Sequence, residues 1–250
     1  MAVVPAARSL GRASRPIPVL KLVENGAHFL VQGNRPSARY NVYGSQQRHL
    51  VNVPVLRHTD TIGCSLVFGS LNVRSLSPGK LDNLFIDVND RSIDILLLCE
   101  TWHDADSVVI CRLRTDGYQV VERARPRRLE ATMKSNHDGV AIIAAAGLRL
   151  TAVSIGCSPS TFECVAARVT SGTSSCLIVV IYRPGSSAVT SAFFTELTGI
   201  LDRLSTFTDP LVITGDMNIH LERTSDPDTV TFIELLAGYG LVQQVKESTR

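Results

Sequence analysis

Four apolar runs in this 250-residue chain each end in a side chain suited to polar catalysis. Leu66–Leu71 leads into Asn72, Ile93–Cys99 into Glu100, and Leu177–Ile181 into Tyr182. Leu211–Thr214 leads through Gly215 into Asp216 and Asn218. In an extended segment residues i and i+2 point to the same side, which predicts that Asp216 and Asn218 address one substrate together. If the strand ends meet at one rim, two carboxylates, two amides and a phenol surround a common space. A hard divalent cation takes oxygen ligands and keeps several waters, so one or two carboxylates suffice to hold it. A carboxylate left off the metal can act as base toward water. Taken singly, each residue has an ordinary structural role. A glutamate after an apolar strand is most often a solvated strand end, and Asn tolerates the backbone angles of turns. Their joint order and the residues flanking them are more informative.

The runs that would position these side chains read as buried strands: Cys64–Leu71, Ile93–Cys99, Val140–Ala145, Glu163–Val169, Cys176–Tyr182 and Leu211–Thr214. Ser77-Pro78 supplies an N-cap and a proline at the first helical position, and Leu81, Leu84, Phe85 and Val88 follow at helical spacing. Val189, Phe193, Leu197, Ile200, Leu201 and Leu204 form one face of a helix of about four turns. Asp226-Pro227 opens another helix, with Val230, Ile233, Leu236 and Ala237 predicted on one face and Gly238 and Gly240 at its close. Strands outnumber helices, and Val140–Tyr182 holds strands without helices between them. This predicts mixed sheets packed together with helices outside, not a doubly wound parallel sheet.

Hydrophobic residues make up 44% of the chain and charged residues 19%, enough to fill a core. The longest apolar stretches, Cys176–Tyr182 and Val140–Leu148, fall far short of the roughly 18–20 residues of a membrane span. No membrane partner is therefore expected. The six cysteines include no C-x-x-C pair and several sit in apolar runs, so they read as reduced core thiols. That predicts an intracellular, reducing setting, nuclear or cytoplasmic, and no secretion. Residues 1–62 carry eight Lys/Arg against two Asp/Glu, whereas the rest is net acidic. Residues 1–61 are expected to be a basic, mostly irregular leader with a short strand near His49–Leu56, and residues 62–250 the folded domain. Such a leader also suits a nucleic-acid-binding arm or a targeting peptide.

Five segments share a further property: SLNVRSL (70–76), LLLCETW (96–102), DGVAI (138–142), VVIYRPG (179–185) and VITGDMNIH (212–220). In this order and at these separations they resemble the endonuclease/exonuclease/phosphatase superfamily. The wording is most similar to the AP-endonuclease-like domain of LINE-type (non-LTR) retrotransposons. The resemblance implies a four-layer α/β sandwich, two packed mixed β-sheets with outer helices. It implies Mg²⁺, with Mn²⁺ as an alternative, and DNA as the partner. Position by position it makes Glu100 the metal-binding glutamate and Asn72 the asparagine supporting metal and phosphate. Tyr182 becomes the tyrosine at the scissile phosphate, Asp216 the aspartate that activates water, and Asn218 its hydrogen-bonding companion. Glu100 and Asp216 are then expected within about 10 Å of each other, with room for a cation and a water. Arg74 and Arg183, beside motif positions, are weaker candidates for phosphate contacts.

The same resemblance calls for a late aspartate and a Ser-Asp-His triplet, and no such triplet occurs in this sequence. It implies a domain incomplete at its C-terminus and inactive as this chain, with strand edges left unpaired. It also implies a reverse transcriptase fused to an intact element, and none follows here. His220 lies two residues past Asn218 and is not a substitute, while His103 and His137 are expected to be exposed. Two other readings stay open: a superfamily phosphatase or phosphodiesterase on another phosphoester, and a non-catalytic nucleic-acid-binding remnant.

Overall fold

A strand that is apolar at every position needs cover on both faces, and several strands of this chain are of that kind. The structure, a computed structural model, describes residues 66–90, 92–124 and 138–243, with four short strands between residues 21 and 51. In chain order the strands are β1 (Lys21–Leu22), β2 (Ala27–Gln32), β3 (Val42–Tyr43), β4 (Leu50–Val51), β5 (Phe68–Asn72), β6 (Ile95–Cys99), β7 (Gln119–Arg123), β8 (Val140–Ala144), β9 (Arg149–Ala152), β10 (Glu163–Ser171), β11 (Ser174–Tyr182), β12 (Leu211–Asp216) and β13 (Leu241–Gln243). The helices are α1 (Pro78–Asp90), α2 (Val108–Thr115), α3 (Ser191–Ser205) and α4 (Pro227–Gly238). Among the described residues the first sheet has the order β3-β4-β1-β5-β6-β8-β7 and the second β13-β2-β12-β11-β10-β9.

Alternation along each strand sorts the side chains into three cores. Ile95, Leu97 and Cys99 of β6 join Ile178 and Val180 of β11 between the sheets. Leu96 and Leu98 face outward onto Leu81 of α1 and Leu113 of α2. Leu177, Val179 and Ile181 face outward onto Phe193, Leu197 and Ile200 of α3. The result is a four-layer α/β sandwich with mixed sheets, as the strand-rich pattern predicts. β5 and β6 are parallel, and so are β11 and β12. Each pair needs a crossover, supplied by α1 and α3, and the crossovers place both helices on the outside.

Local signals set the helix starts. The Thr190 side chain accepts from the Phe193 N–H, and the Asp226 side chain from the Asp228 N–H ahead of a proline at N1. The predicted face of α4 is corrected. Val230 and Ile233 are exposed and the buried residues are Thr229, Phe232 and Leu236. Burying a phenylalanine is worth about 1.5–3 kcal/mol, so the helix turns Phe232 inward. The Thr229 hydroxyl meanwhile donates to the His220 carbonyl at 3.0 Å, which makes its burial inexpensive.

The N-terminal strands join both sheets. β1 runs parallel to β5, and β2 lies antiparallel between β12 and β13. The strand expected near His49–Leu56 is represented by β4. An open edge beside Asp216, which missing late strands would leave, is not found: β12 is paired by β11 on one side and β2 on the other. The remainder of the leader, Cys64, His137 and residues 244–250 lie outside the described residues.

The loop entering β10 gives a pH test. Glu196 of α3 accepts from the backbone and hydroxyls of Ser160 and Thr161 at 2.5–3.0 Å. Burial opposes ionisation, but these bonds hold its carboxyl at about 2, below the usual 4.5. A depressed carboxylate stabilises the fold above its unfolded value and loses that contribution as pH falls. Denaturant midpoints should therefore favour the native chain over Glu196→Gln at pH 6, and the gap should close between pH 4.5 and 2.

Candidate active site

The parity that fills the space between the sheets also delivers polar residues to one end of it. Thr214 donates to Ser70 Oγ across the gap at 3.1 Å, both residues fully buried. Two residues further on, at the C-terminal ends of the parallel strands, stand Asp216 and Asn72. The Asn72 amide nitrogen donates to Glu100 Oε1 at 2.6 Å and to Asp216 Oδ2 at 3.0 Å, so the two carboxylates lie less than about 6 Å apart. Tyr182, paired with Asp216 in the β11–β12 register, points into the same gap. Burial first, and then hydrogen bonding and proximity to Glu100, push its phenol well above the ordinary range. It therefore stays protonated and donates to Glu100. The Asn218 backbone N–H donates to Asp216 Oδ1 at 3.2 Å, so each carboxylate has at least two donors.

Two of these placements are not made by strand alternation. Continued past Cys99, alternation would send Glu100 outward with Leu96 and Leu98. The backbone instead turns left-handed at Glu100, with φ 52°, and the side chain meets Asn72 in the gap. Asn218 is likewise left-handed, with φ 51°, and lies beyond the end of β12. The expectation that Asp216 and Asn218 share a face by extended geometry is thus replaced: a turn folds the Asn218 N–H back onto Asp216. Arg74, Ser75 and Trp102 are also left-handed, so strain of about 1–3 kcal/mol per residue collects around this rim.

Glycines make the turns fit. A Cβ on Gly215, at φ 128°, would lie 1.9 Å from the Ile181 carbonyl oxygen. One on Gly185 would lie 2.8 Å from Asn218 Oδ1. The family signal follows from this arrangement. The sequence profile described as the Endonuclease/Exonuclease/phosphatase family matches residues 69–237, which hold every one of these side chains. The chain belongs to the endonuclease/exonuclease/phosphatase family.

Solved structures similar to this chain include the human Nocturnin catalytic domain with bound sulfate anion, 21% identical with a TM-score of 0.45 over 65% of this chain and 64% of that one. The endonuclease domain of TRAS1, a telomere-specific non-LTR retrotransposon, is 12% identical with a TM-score of 0.48 over 68% of each chain. An AP endonuclease from Archaeoglobus fulgidus is 17% identical with a TM-score of 0.46, covering 68% of this chain and 69% of its own. The chain thus spans less than two thirds of the Nocturnin domain. No curated protein sequence matches it.

Members of the endonuclease/exonuclease/phosphatase family generally depend on a divalent metal, and the donors here suit a hard cation. Glu100 and Asp216 offer oxygen ligands. Asn72 turns its amide nitrogen to them while its carboxamide oxygen accepts from the Arg74 N–H at 3.3 Å, so it supports the carboxylates and is not placed as a ligand itself. Among the described residues no three His, Cys, Asp or Glu side chains come together as a metal-holding group. A cation at this rim would accordingly keep much of its water, as Mg²⁺ does. Cys99 lies beneath, its thiol 3.7 Å from the Ile181 carbonyl, and burial pushes it far up, so it is not a nucleophile. A cavity of about 610 Å³ lies elsewhere, at the lateral edge between β7 and β9–β10.

Arg183 is corrected as a phosphate contact. It is 3% exposed, and its guanidinium donates to the carbonyls of Met217 and Asn218 at 2.7 Å each, with further bonds to Pro184 and Ser187. The Asn218 amide answers by donating to the Arg183 carbonyl at 2.7 Å. Arg183 therefore clamps the YRPG and GDMN turns together. Burial lowers its pKa while the Asp216 charge opposes that shift, and an arginine remains cationic. Arg74 is exposed at the rim, where Lys80 Nζ holds its carbonyl at 2.6 Å.

His103 is corrected as an exposed residue: it is 4% exposed and bonded to Thr101 and Glu122. His220 pairs with Glu222 at 2.9 Å, and its carbonyl accepts from Thr229 of α4. Glu163 was not expected at the rim. It sits opposite Tyr182 on β10 and accepts from the Gly139 N–H at 2.5 Å, tying the sheets together. Its strand parity with Val165 and Ala167 is the signal that locates it.

The glycine geometry separates two substitutions. Gly215→Ala should fail to accumulate as folded protein, because its Cβ meets backbone that cannot move aside. Gly185→Ala should fold and displace only the Asn218 side chain, which thermal unfolding and circular dichroism of both variants would reveal.

Proposed function

We propose that this domain is a divalent-metal-dependent phosphodiesterase acting on DNA, of the LINE-type retrotransposon endonuclease branch. One observation carries the reading: a single amide bridges carboxylates from opposite sheets, beside a phenol that keeps its proton. Mg²⁺ or Mn²⁺ held by Glu100, with Asn72 steadying that carboxylate through its amide N–H, would supply charge for the phosphate oxygens. Asp216, kept in place by Asn72 and the Asn218 N–H, accepts a proton from water and orients it. Tyr182 donates to the phosphate as charge develops, and Arg74 gives an exposed cation for a flanking phosphate. The branch assignment rests on the N-V-R-S-L wording and the short segment after Tyr182. An intact element of that branch carries a fused reverse transcriptase, which this sequence does not include.

The sequence holds no Ser-Asp-His, so the developing charge has one donor fewer than in the proposed branch. Loss of one such donor costs about 10²–10³ in rate. The 250-residue chain with Mg²⁺ should therefore nick supercoiled plasmid negligibly. A version extended with closing strands and Ser-Asp-His from a related element should nick at least about 10²-fold faster. Glu100→Ala should abolish that activity. Nicking by the extended chain that survives Glu100→Ala would contradict the assignment.

A further inference from the structure

The turn that carries Glu100 holds two left-handed residues, Glu100 at φ 52° and Trp102 at φ 51°, on either side of Thr101. Such a turn persists only where its surroundings over-determine it. The backbone is fixed on both flanks. Ser75 N–H donates to the Glu100 carbonyl and Leu76 N–H to the Thr101 carbonyl, each at 2.8 Å. Thr101 and Trp102 in turn donate to Gly139 and Asp138, at 3.1 and 2.8 Å. A side-chain chain then leads away from the turn. Thr101 Oγ1 lies 2.6 Å from His103 Nδ1, and His103 Nε2 lies 3.0 Å from Glu122 Oε2 on β7. Glu122 Oε1 accepts from Arg114 of α2 at 3.4 Å. A carboxylate can only accept, so His103 Nε2 carries the proton, and on a neutral ring the Thr101 hydroxyl donates to Nδ1.

This chain of bonds crosses β8, which lies between β6 and β7, and Gly139 opens the passage. A Cβ there would come within 2.5 Å of Thr101 Oγ1 and 3.3 Å of His103 Nδ1. Apolar packing alone does not ask for an imidazole at a position 4% exposed. We infer that Thr101, His103 and Glu122 form a brace that holds the Glu100 turn in its strained conformation, making His103 a positioning residue for the carboxylate. Its link to metal affinity rests on the function proposed above; its link to the turn does not.

Trp102 is the sole tryptophan of the chain and lies in the turn, so its emission reports the turn directly. The test uses the 250-residue chain carrying His103→Leu, Thr101→Val, their combination, Glu122→Gln or Glu100→Ala. Mn²⁺ affinity is read from the free-ion electron paramagnetic resonance signal without nucleic acid, beside Trp102 emission and far-ultraviolet circular dichroism. His103→Leu and Thr101→Val should each weaken Mn²⁺ binding about tenfold, as loss of such supporting bonds does, and shift Trp102 emission. The double variant should do no worse than either single one, since both break the same chain of bonds. Glu122→Gln keeps an acceptor for Nε2 and should stay close to the native chain. Native Mn²⁺ affinity and emission in a folded His103→Leu, with binding lost in Glu100→Ala, would overturn the brace. Should Glu100→Ala bind Mn²⁺ unchanged, the metal reading falls instead, and unshifted Trp102 emission in His103→Leu would overturn the brace by itself. If His103→Leu does not fold, Thr101→Val decides by the same two readings.

Discussion

One amide holds two sheets in register. Asn72 at the end of β5 donates to Glu100 from its own sheet and to Asp216 from the facing one. Two ionised carboxylates less than about 6 Å apart repel by at least about 3 kcal/mol at an effective dielectric of about 20. That repulsion sits at the edge of a packed apolar core, where sliding one sheet past the other would otherwise relieve it. The Asn72 amide, the Tyr182 phenol and the Asn218 N–H offset it, and the buried Ser70–Thr214 bond pins the same register two residues deeper. The arrangement is suited to a cation because it already concentrates negative charge that the protein only partly compensates.

Strain and clamp follow from that demand. Glu100 reaches the gap only by leaving the strand in a left-handed turn, against the parity of β6. Asn218 does the same after β12, and the buried Arg183 guanidinium holds that turn by its carbonyls. The cationic side chain behind Asp216 thus serves geometry before substrate. Polar groups here are tied to backbone on the far side of the site, which leaves the carboxylates themselves facing the rim.

The strands and their order were legible because buried strands in a four-layer fold are apolar at nearly every position, as Leu96–Cys99 and Leu177–Ile181 are. The meeting of Asn72, Glu100, Tyr182 and Asp216 was legible from strand ends and family motifs together. What escaped reading depends on contacts across the fold. The face of α4 was misplaced by one position because Val230 and Ile233 are as apolar as the residues that pack. Arg183 looked like any surface arginine until the carbonyls that bind it were in place. His103 carries no local sign of burial, since Glu122 and Gly139 come from other strands. The short, polar β7 and β9 lack the continuous apolar signal, being edge strands with half-buried or exposed residues. The pairing of β2 with β12 is a long-range choice that no window of sequence expresses.

The central claim, that Asn72 joins the two carboxylates where a divalent cation binds, is tested most directly by nuclear magnetic resonance of the Asn72 side-chain amide. Its signal is identified by loss in Asn72→Ser. Addition of Mg²⁺ to the native chain should move that signal to saturation, and the same addition to Glu100→Ala should leave it in place. A signal that stays put in the native chain while residues elsewhere respond to Mg²⁺ would contradict the account.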